Sequence, residues 1–456
     1  MSSTLAATPA SSGQTSPRRQ IFLSNTKLLY GAVTVLLLAP LAFGAVEPWA
    51  IFALELCAAV LLAGWGVRQW MEGEIEFIPH PLYAPALAFV TLALLQSVTG
   101  TTSYRHATSS QILLYLGYGM LAFVVTQTLR RGSQLRMLAW ALCIYGAVVA
   151  LFALLEGIAP NGKLYWIWGL EQGGSVYGPY VNRNHYAGLM ELLAPIPLAL
   201  AASRWTHGNR KLVVVAIAAL MAGTVFLSGS RGGMLSLALQ IVVLVVLLRP
   251  RQKDWKQGIA LIVFLAVIVG LLVWLGGNEL TRRLASIHTE TTQELSGGVR
   301  LTIARDSLRM WLRRPVLGWG LGTFPVVYPQ FRSFYTTFFI NQAHNDYAQL
   351  LVETGLVGLA IAVWFLVLTF RRALAKLDNW TETANGTLTV AALVGCIGIL
   401  VHSFMDFNLQ IPANAALFYA LCAIAASGKF QESVRQRRRS RAHALILDPK
   451  PVSETD

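Results

Sequence analysis

Residues 211–248 read KLVVVAIAALMAGTVFLSGSRGGMLSLALQIVVLVVLL, which is two apolar runs joined by the polar segment Ser228–Gly233. Each run has about the 17–25 residues that a helix needs to cross a bilayer. Similar runs recur along the chain, whose 456 residues are 55% hydrophobic and only 13% charged. Soluble domains carry about 25% charged residues, so the sequence predicts an integral membrane protein.

The predicted fold class is an all-α polytopic membrane protein with about twelve transmembrane helices. The predicted spans are 27–46, 49–67, 82–99, 110–129, 137–156, 184–203, 211–228, 232–248, 258–276, 346–370, 387–404 and 411–427. Transmembrane helices 1–9 are therefore expected in residues 27–276 and helices 10–12 in residues 346–428. The rest divides into a disordered N-terminus (1–26), one large loop module (277–345) and a basic tail (429–456).

Lysine and arginine alternate between the two sides of these spans. One side holds clusters such as 130–136, 249–256 and 435–441, whereas the opposite short loops contain only Arg105, Lys163, Arg183 and Arg231. The positive-inside rule then orients both termini in the cytoplasm and the large module in the periplasm. The rule also explains most of the formal charge of +14, so no nucleic-acid partner is expected.

The hairpin Ser228–Gly233 is the first candidate for a functional site. Glycine and serine expose backbone N–H groups near a helix start, which suits an anion, and Arg231 adds a planar fork that fits phosphate. The alternative is a tight helix–helix turn with an interfacial arginine. A cation at membrane depth is costly, which favours the functional interpretation.

The loop module contains a predicted amphipathic helix at 299–314, with Arg300 near its start. Its apolar residues recur at helical spacing: Val299, Leu301, Ile303, Ala304, Leu308, Trp311 and Leu312. Arg300 is a candidate anion ligand, although it could equally face water. The segment 318–322 (GWGLG) predicts a turn-rich break after this helix. A second outer segment, 157–183, has the Trp and Tyr content of an interfacial helix.

His344 lies where the module is expected to re-enter the membrane. Histidine is the common side chain whose unperturbed pKa lets it accept a proton near neutral pH. Asp346 or Glu353 are candidates to orient it. The alternative is a polar helix start, capped by Asn345 or Asp346.

Two more outer clusters are polar where the chain only needs to turn. The first contains Arg183, a candidate phosphate ligand, and His185; the second contains Asp406, a candidate partner of an arginine or of a sugar hydroxyl. Either cluster could also be structural. The sequence contains no metal-ligand spacing, phosphate-binding loop or dinucleotide-binding fingerprint in a suitable structural context. Neither a metal nor a cofactor is therefore expected.

Three of these segments together resemble the O-antigen ligase and polymerase superfamily of bacterial envelopes. They are SGSRGG (228–233), GGVRLTIARDSLRMW (297–311) and HNDYAQLLVETGLVG (344–358). RNHYAG (183–188) and DFNLQIP (406–412) are also similar to that group. The resemblance covers roughly residues 177–415. It implies a C-type glycosyltransferase-like architecture in the bacterial inner membrane, and a glycan on undecaprenyl diphosphate as donor, without a metal or cofactor.

The resemblance also implies roles for particular residues. Arg231 and Arg300 match the two diphosphate-binding arginines, with Arg183 as a further diphosphate ligand, and His344 matches the catalytic histidine. His185, Asp346 and Asp406 are candidates for supporting roles.

The sequence leaves the acceptor open. Lipid A core would make the protein a ligase of surface polysaccharide, which is the leading expectation; a lipid-linked glycan would make it an O-antigen or exopolysaccharide polymerase. A protein Ser or Thr would make it an O-oligosaccharyltransferase. A transporter of an anionic solute also fits many spans with intramembrane Arg and His. Against the transporter, the sequence shows no inverted repeat, and the candidate site lies at the outer surface.

Overall fold

The computed structural model describes residues 24–169, 174–248, 297–336 and 339–428, and the regular elements in these ranges are helices. Within these ranges, eight helices are long and apolar enough to cross a membrane: Pro48–Glu72, Arg105–Thr128, Gly132–Ile158, Arg183–Ala202, Asn209–Ser228, Arg231–Leu248, Asp346–Leu374 and Ala384–His402. Three shorter apolar helices are Asn25–Leu41, Tyr83–Val98 and Pro412–Ala426. The all-α, multi-spanning prediction is confirmed for this part of the chain.

The predicted spans and the observed helices agree closely in position. Apart from 258–276, each predicted span overlaps a helix of one of the two groups. The span 258–276 lies outside the described residues, as do residues 1–23 and the basic tail from 429. The number of twelve spans therefore stays a prediction.

The helix Arg183–Ala202 runs through the centre of the bundle and is almost wholly buried. Pro195 separates it into two parts, Arg183–Leu193 and Pro195–Ala202, because proline has no N–H for the helical ladder. Ala384–His402 packs along it at a small residue: a Cβ at Gly395 would lie 3.1 Å from the carbonyl oxygen of Leu192. Small residues allow helix backbones to approach closely where no solvent drives association.

The helix ends gather at two levels. At one level Asn184 contacts Asp406, and Ser403 contacts Asp346. At the other level Trp380 Nε1 donates to the carbonyl of Leu247 (3.3 Å), and Lys376 Nζ donates to that of Ser427 (2.8 Å). The bundle thus separates the predicted anion-binding segments from the Lys- and Arg-rich connections.

The helix Asp346–Leu374 is broken at Gly355, whose φ of +64° lies in the left-handed region. The backbone groups beyond the break are paired with the loop that follows the module helix. Leu356 N donates to Pro315 O (2.9 Å), and Val357 N donates to Val316 O (3.2 Å). Irregular backbone is tolerated at membrane depth only when its polar groups are paired within the protein, as they are here.

The predicted amphipathic helix is present as Gly297–Arg313, here called the module helix. Its buried side contains Ile303, Asp306 and Met310. Leu301, Leu308 and Leu312 are exposed, so the apolar residues of the predicted pattern do not all lie on the buried side. The reason is that Asp306 faces inward, where its carboxylate accepts hydrogen bonds from the N–H (2.9 Å) and hydroxyl (3.0 Å) of Ser333. The prediction of an interfacial helix in 157–183 is wrong, because its described residues beyond the end of Gly132–Ile158 form turns and isolated bridges such as Leu164–Trp168.

Candidate functional site

Asp406 is the centre of the polar cluster at the end of the bundle where Asn184 and Ser403 lie. It lies in the turn after Ala384–His402 and is fully buried. Its Oδ2 accepts from Asn184 Nδ2 (2.6 Å) and lies 3.6 Å from Arg300 Nη1. Its Oδ1 accepts from Phe407 N (2.9 Å) and lies 3.5 Å from His344 Nδ1. One carboxylate therefore joins four segments that are far apart in the sequence.

The charge of Asp406 is fixed by its neighbours. Burial acts to raise the pKa of the carboxyl, but contact with His344 and the charge of Arg300 outweigh burial and hold the pKa well below its usual range. An ionised carboxylate consequently lies between two basic side chains, and it stabilises both of them in place.

His344 occupies a constrained position just before the helix Asp346–Leu374. Its φ is +50°, which is uncommon for a residue other than glycine and often marks a functional site. Asn345 is the helix cap, as one of the sequence interpretations required, because its side chain accepts from Ala348 N (2.9 Å). The Nδ1 atom of His344 is the ring nitrogen that lies beside Asp406.

The two carboxylates that the sequence offered as partners of His344 are engaged elsewhere. Asp346 accepts from the hydroxyl of Ser403 (2.7 Å) and holds the turn that carries Asp406. Glu353 accepts from two backbone amides of the 322–324 turn, at 2.9 and 3.2 Å. The interpretation that either of them orients His344 is wrong, and Asp406 is the carboxylate beside it.

His185 joins the cluster through the ring of Phe407. The two ring centroids are 4.7 Å apart in an edge-to-face arrangement, and His344 makes a similar contact with the same Phe407 ring at 4.8 Å. His185 is buried, its carbonyl accepts from Asn414 Nδ2 (2.9 Å), and its Nε2 makes no hydrogen bond within the described part of the protein. A second imidazole thus lies next to the Asp406 cluster.

Arg300 is held at one edge of its guanidinium group. Nη1 donates to the carbonyl of Met405 (2.7 Å) and lies beside Asp406, while the side chain stays about a quarter exposed (24%). A guanidinium carries five N–H donors, so several remain for an anion on the exposed side.

Arg231 is the exposed first residue of the helix Arg231–Leu248. The hairpin before it turns at Gly229, with φ of +73°, and Ser230 Oγ accepts from Gly233 N (3.2 Å) at the helix start. Gly232 is seated on the end of Ala384–His402, since a Cβ there would lie 2.5 Å from the ring of His402. A helix N-terminus carrying an arginine favours anions, and here it adjoins the segment that carries Asp406.

Arg183 begins the central helix, immediately before Asn184 and His185. All the segments singled out in the sequence therefore meet at one end of the bundle. Sequence reasoning missed the roles of Asn184 and Phe407, although both lie inside the quoted motifs RNHYAG and DFNLQIP. The sequence indicated these two residues only as neighbours of predicted site residues. Being next to a site residue in the sequence does not show which distant residues a side chain contacts in the fold.

Residues 216–363 match the family model described as O-antigen ligase. This part of the chain resembles the O-antigen ligases. The match confirms the superfamily that the motifs predicted. The apolar helices of spanning length and the family match together indicate a bacterial inner-membrane protein. A search among curated proteins found no match to the chain.

The matched region contains Arg231, Arg300 and His344, but Asn184 and Asp406 lie on either side of it in the sequence. The cluster is therefore completed by helices outside the matched region. The family implies a lipid-linked glycan and an acceptor as partners in general.

Proposed function

We propose that the protein transfers a glycan from undecaprenyl diphosphate to an acceptor hydroxyl at the periplasmic face of the inner membrane, as an O-antigen ligase-like enzyme. The observation that carries this proposal is the Asp406 cluster. A buried carboxylate holds a cationic anion-binding side chain, Arg300, and a candidate base, His344, within 3.6 Å of its two oxygens. Both residues belong to the matched region.

The arginines bind the diphosphate of the donor. Arg231 and Arg300 contact its phosphate oxygens, with Arg183 as the third cation, and the N–H groups at the start of Arg231–Leu248 add to the attraction. Negative charge grows on the diphosphate as its bond to the sugar breaks. Cations that are already in place stabilise this charge without reorganising, and such preorganised charges often account for most of the rate enhancement of an enzyme.

His344 is the general base. Its Nε2 takes the proton of the acceptor hydroxyl, and the oxygen attacks the anomeric carbon from the face opposite the diphosphate. The new carbon–oxygen bond forms as the bond to diphosphate breaks, so one displacement inverts the anomeric centre. Asp406 orients the imidazole through Nδ1 and stabilises the imidazolium that forms. The arginines supply the charge stabilisation, so the reaction is proposed to need no metal ion.

His185 and Asp346 support this arrangement from the sides. His185 packs on the same Phe407 ring as His344, and Asp346 fixes the turn that carries Asp406. The alternation of basic loops supports a periplasmic site with both termini in the cytoplasm.

The test is glycan transfer by the purified protein in detergent with undecaprenyl-diphosphate glycan and excess EDTA. Lipid A core, a second lipid-linked glycan and a Ser-rich peptide compete as acceptors, and released undecaprenyl diphosphate is measured beside the glycan product. His344→Ala is compared with His106→Ala, an exposed histidine at the start of another helix. Product on one acceptor that is lost only in His344→Ala supports the proposal and identifies the ligase, polymerase or protein transferase.

Two results would count against it. Full transfer by a well-folded His344→Ala protein rules out the role of His344 as base. Absence of diphosphate release with every acceptor, together with uptake of an anionic solute by proteoliposomes, favours a transporter.

A further inference from the structure

A second pair of ionisable side chains lies beneath the Asp406 cluster. His402 Nδ1 and Glu191 Oε1 are 2.8 Å apart, on different helices, and their side chains are 1% and 0% exposed. Neither residue takes part in the proposed transfer. Ionisable groups inside a membrane protein are costly to bury, so a pair of this kind calls for a function.

The far edge of the His402 ring supports the hairpin that carries Arg231. A Cβ at Gly232 would lie 2.5 Å from Cδ2 and 2.6 Å from Nε2 of His402, so the glycine sits directly on the ring. Glu191 holds the ring by Nδ1, the opposite side of the imidazole. The orientation of the ring therefore sets how closely the start of Arg231–Leu248 approaches the helix that ends at His402.

The backbone of His402 also carries the turn that contains Asp406. The carbonyl of His402 accepts from Met405 N (2.8 Å) and from Asp406 N (3.1 Å). His402 thus contacts both the start of the helix that carries Arg231 and the turn that carries Asp406.

The same three helices are joined again deeper in the bundle. Gln240 Nε2 donates to the carbonyls of Glu191 (2.7 Å) and Val394 (3.1 Å). The Glu191–His402 pair is therefore the upper of two polar connections that keep Arg183–Ala202, Arg231–Leu248 and Ala384–His402 in register.

We propose that Glu191 and His402 are positioning residues that fix Arg231 relative to the Asp406 cluster. The proposal rests on the proposed function, because its effect on transfer passes through Arg231. Neither residue touches the reacting groups. Loss of the pair displaces the cation from the leaving diphosphate, and a displacement of about 1 Å can lower a rate by up to about a hundredfold.

A compensating pair of substitutions tests the contact directly. Gly232→Ala places a methyl group against the His402 ring and should lower transfer about tenfold or more. His402→Asn keeps an N–H toward Glu191 and removes the far edge of the ring. The double variant Gly232→Ala/His402→Asn should recover much of the activity lost in Gly232→Ala. Gly119→Ala is the matched control, because a Cβ there meets nothing within 4 Å.

A double-mutant cycle with Arg231 tests whether the pair acts through that residue. Glu191→Ala should lower transfer in the wild-type background and cause no further loss in the Arg231→Ala background. Glu191→Gln, which keeps an acceptor for the His402 ring, should retain most of the activity. Elution from a sizing column and the melting temperature in detergent are recorded for every variant, so that an unfolded protein is not scored as an inactive one.

Each outcome decides one of the two proposals. If wild type transfers glycan and Arg231→Ala transfers it at a lower but measurable rate, the proposed function stands. Two results then overturn the positioning role alone. The first is that Glu191→Ala lowers transfer by the same factor in both backgrounds of the cycle. The second is a Gly232→Ala/His402→Asn protein that is less active than both single variants. A folded wild-type protein without transfer overturns the proposed function, and the positioning role with it.

Discussion

Asp406→Asn is the substitution that tests the centre of the site most directly. Asparagine has nearly the same size but no charge, and one of its two terminal atoms is a donor. Both carboxylate oxygens of Asp406 face basic or donor groups: Asn184 and Arg300 at Oδ2, and Phe407 N and His344 at Oδ1. Either rotamer of the amide therefore points an NH₂ group at another donor.

The size of the effect follows from the distances. At an effective dielectric constant of about 20, opposite charges 3.6 Å apart attract by about 4–5 kcal/mol. The asparagine variant avoids the cost of burying the carboxylate, but it leaves Arg300 without its counter-charge. Removing one partner of a buried pair costs about 2–5 kcal/mol in total, which is the destabilisation expected here.

The assay is thermal melting in detergent at pH 7, with Glu74→Gln as the matched control because Glu74 is an exposed carboxylate far from the Asp406 cluster in the sequence. The melting temperature of Asp406→Asn should lie several degrees below that of wild type. The control should change the free energy of unfolding by no more than about 0.5 kcal/mol. A variant that melts like wild type would refute the assignment of Asp406 as the charge that holds the cluster.

The same variant has a defined pH dependence. The pKa of the Asp406 carboxyl is depressed in the folded protein, so its stabilising contribution is fully present above the ordinary aspartate pKa of about 4. That contribution is lost as the pH falls from about 4 toward the depressed value. The difference in melting temperature between wild type and Asp406→Asn should therefore narrow below about pH 4, and a difference that stays constant there would contradict the ionised state of Asp406.

Three further predictions concern other parts of the site. His344→Ala should lower transfer by about 10²–10⁴-fold in protein that is still folded, as the loss of a general base predicts; a change below threefold would exclude that role. Arg300→Lys keeps the charge but not the fork, so donor KM should rise and transfer fall about tenfold, and unchanged kinetics would show that its bidentate geometry is not used. Gly355→Ala places a Cβ 2.2 Å from Val316 O at a left-handed φ, so melting should fall by several degrees, and a neutral result would contradict the helix break.

The spans were predictable because the length of an apolar run is a direct property of the sequence. The eight long helices and the three shorter ones lie where the runs lie. The local conformation of 157–183 was not predictable in the same way. Aromatic residues indicate depth at a membrane interface, but they do not determine whether the backbone is helical, and the residues around Leu164 and Trp168 form turns.

Contacts across the fold were harder to predict than the positions of the motifs. His344 and Asp406 lie in turns that two helices, Asp346–Leu374 and Ala384–His402, separate in the sequence, so no spacing rule indicates that they meet. The sequence instead favoured the nearer acids Asp346 and Glu353. Glu191 did carry a signal, because an acidic residue within an apolar run is costly. A buried acidic residue predicts a polar partner, but the sequence does not show that the partner is His402.

The exposed leucines of the module helix show a related limit. Helical spacing identifies which residues share a face, but two apolar faces can exist on one helix. Here Ile303 and Met310 pack against the protein, and Leu301 and Leu308 do not. Asp306, whose carboxylate accepts hydrogen bonds from Ser333, lies on the buried face, which the spacing of the leucines does not indicate.

The position of Asp406 also explains how one site can bind an anion and run a proton transfer. During the proposed reaction, negative charge leaves with the diphosphate on the side of the arginines, while positive charge appears on His344. The fixed carboxylate lies 3.5 Å from His344 and 3.6 Å from Arg300. It therefore stabilises both the imidazolium that forms and the guanidinium of Arg300. It occupies only one edge of Arg300, so the remaining donors stay available to the diphosphate. A neutral residue at 406 would lose both effects together, which is why transfer should be more sensitive to Asp406→Asn than stability is.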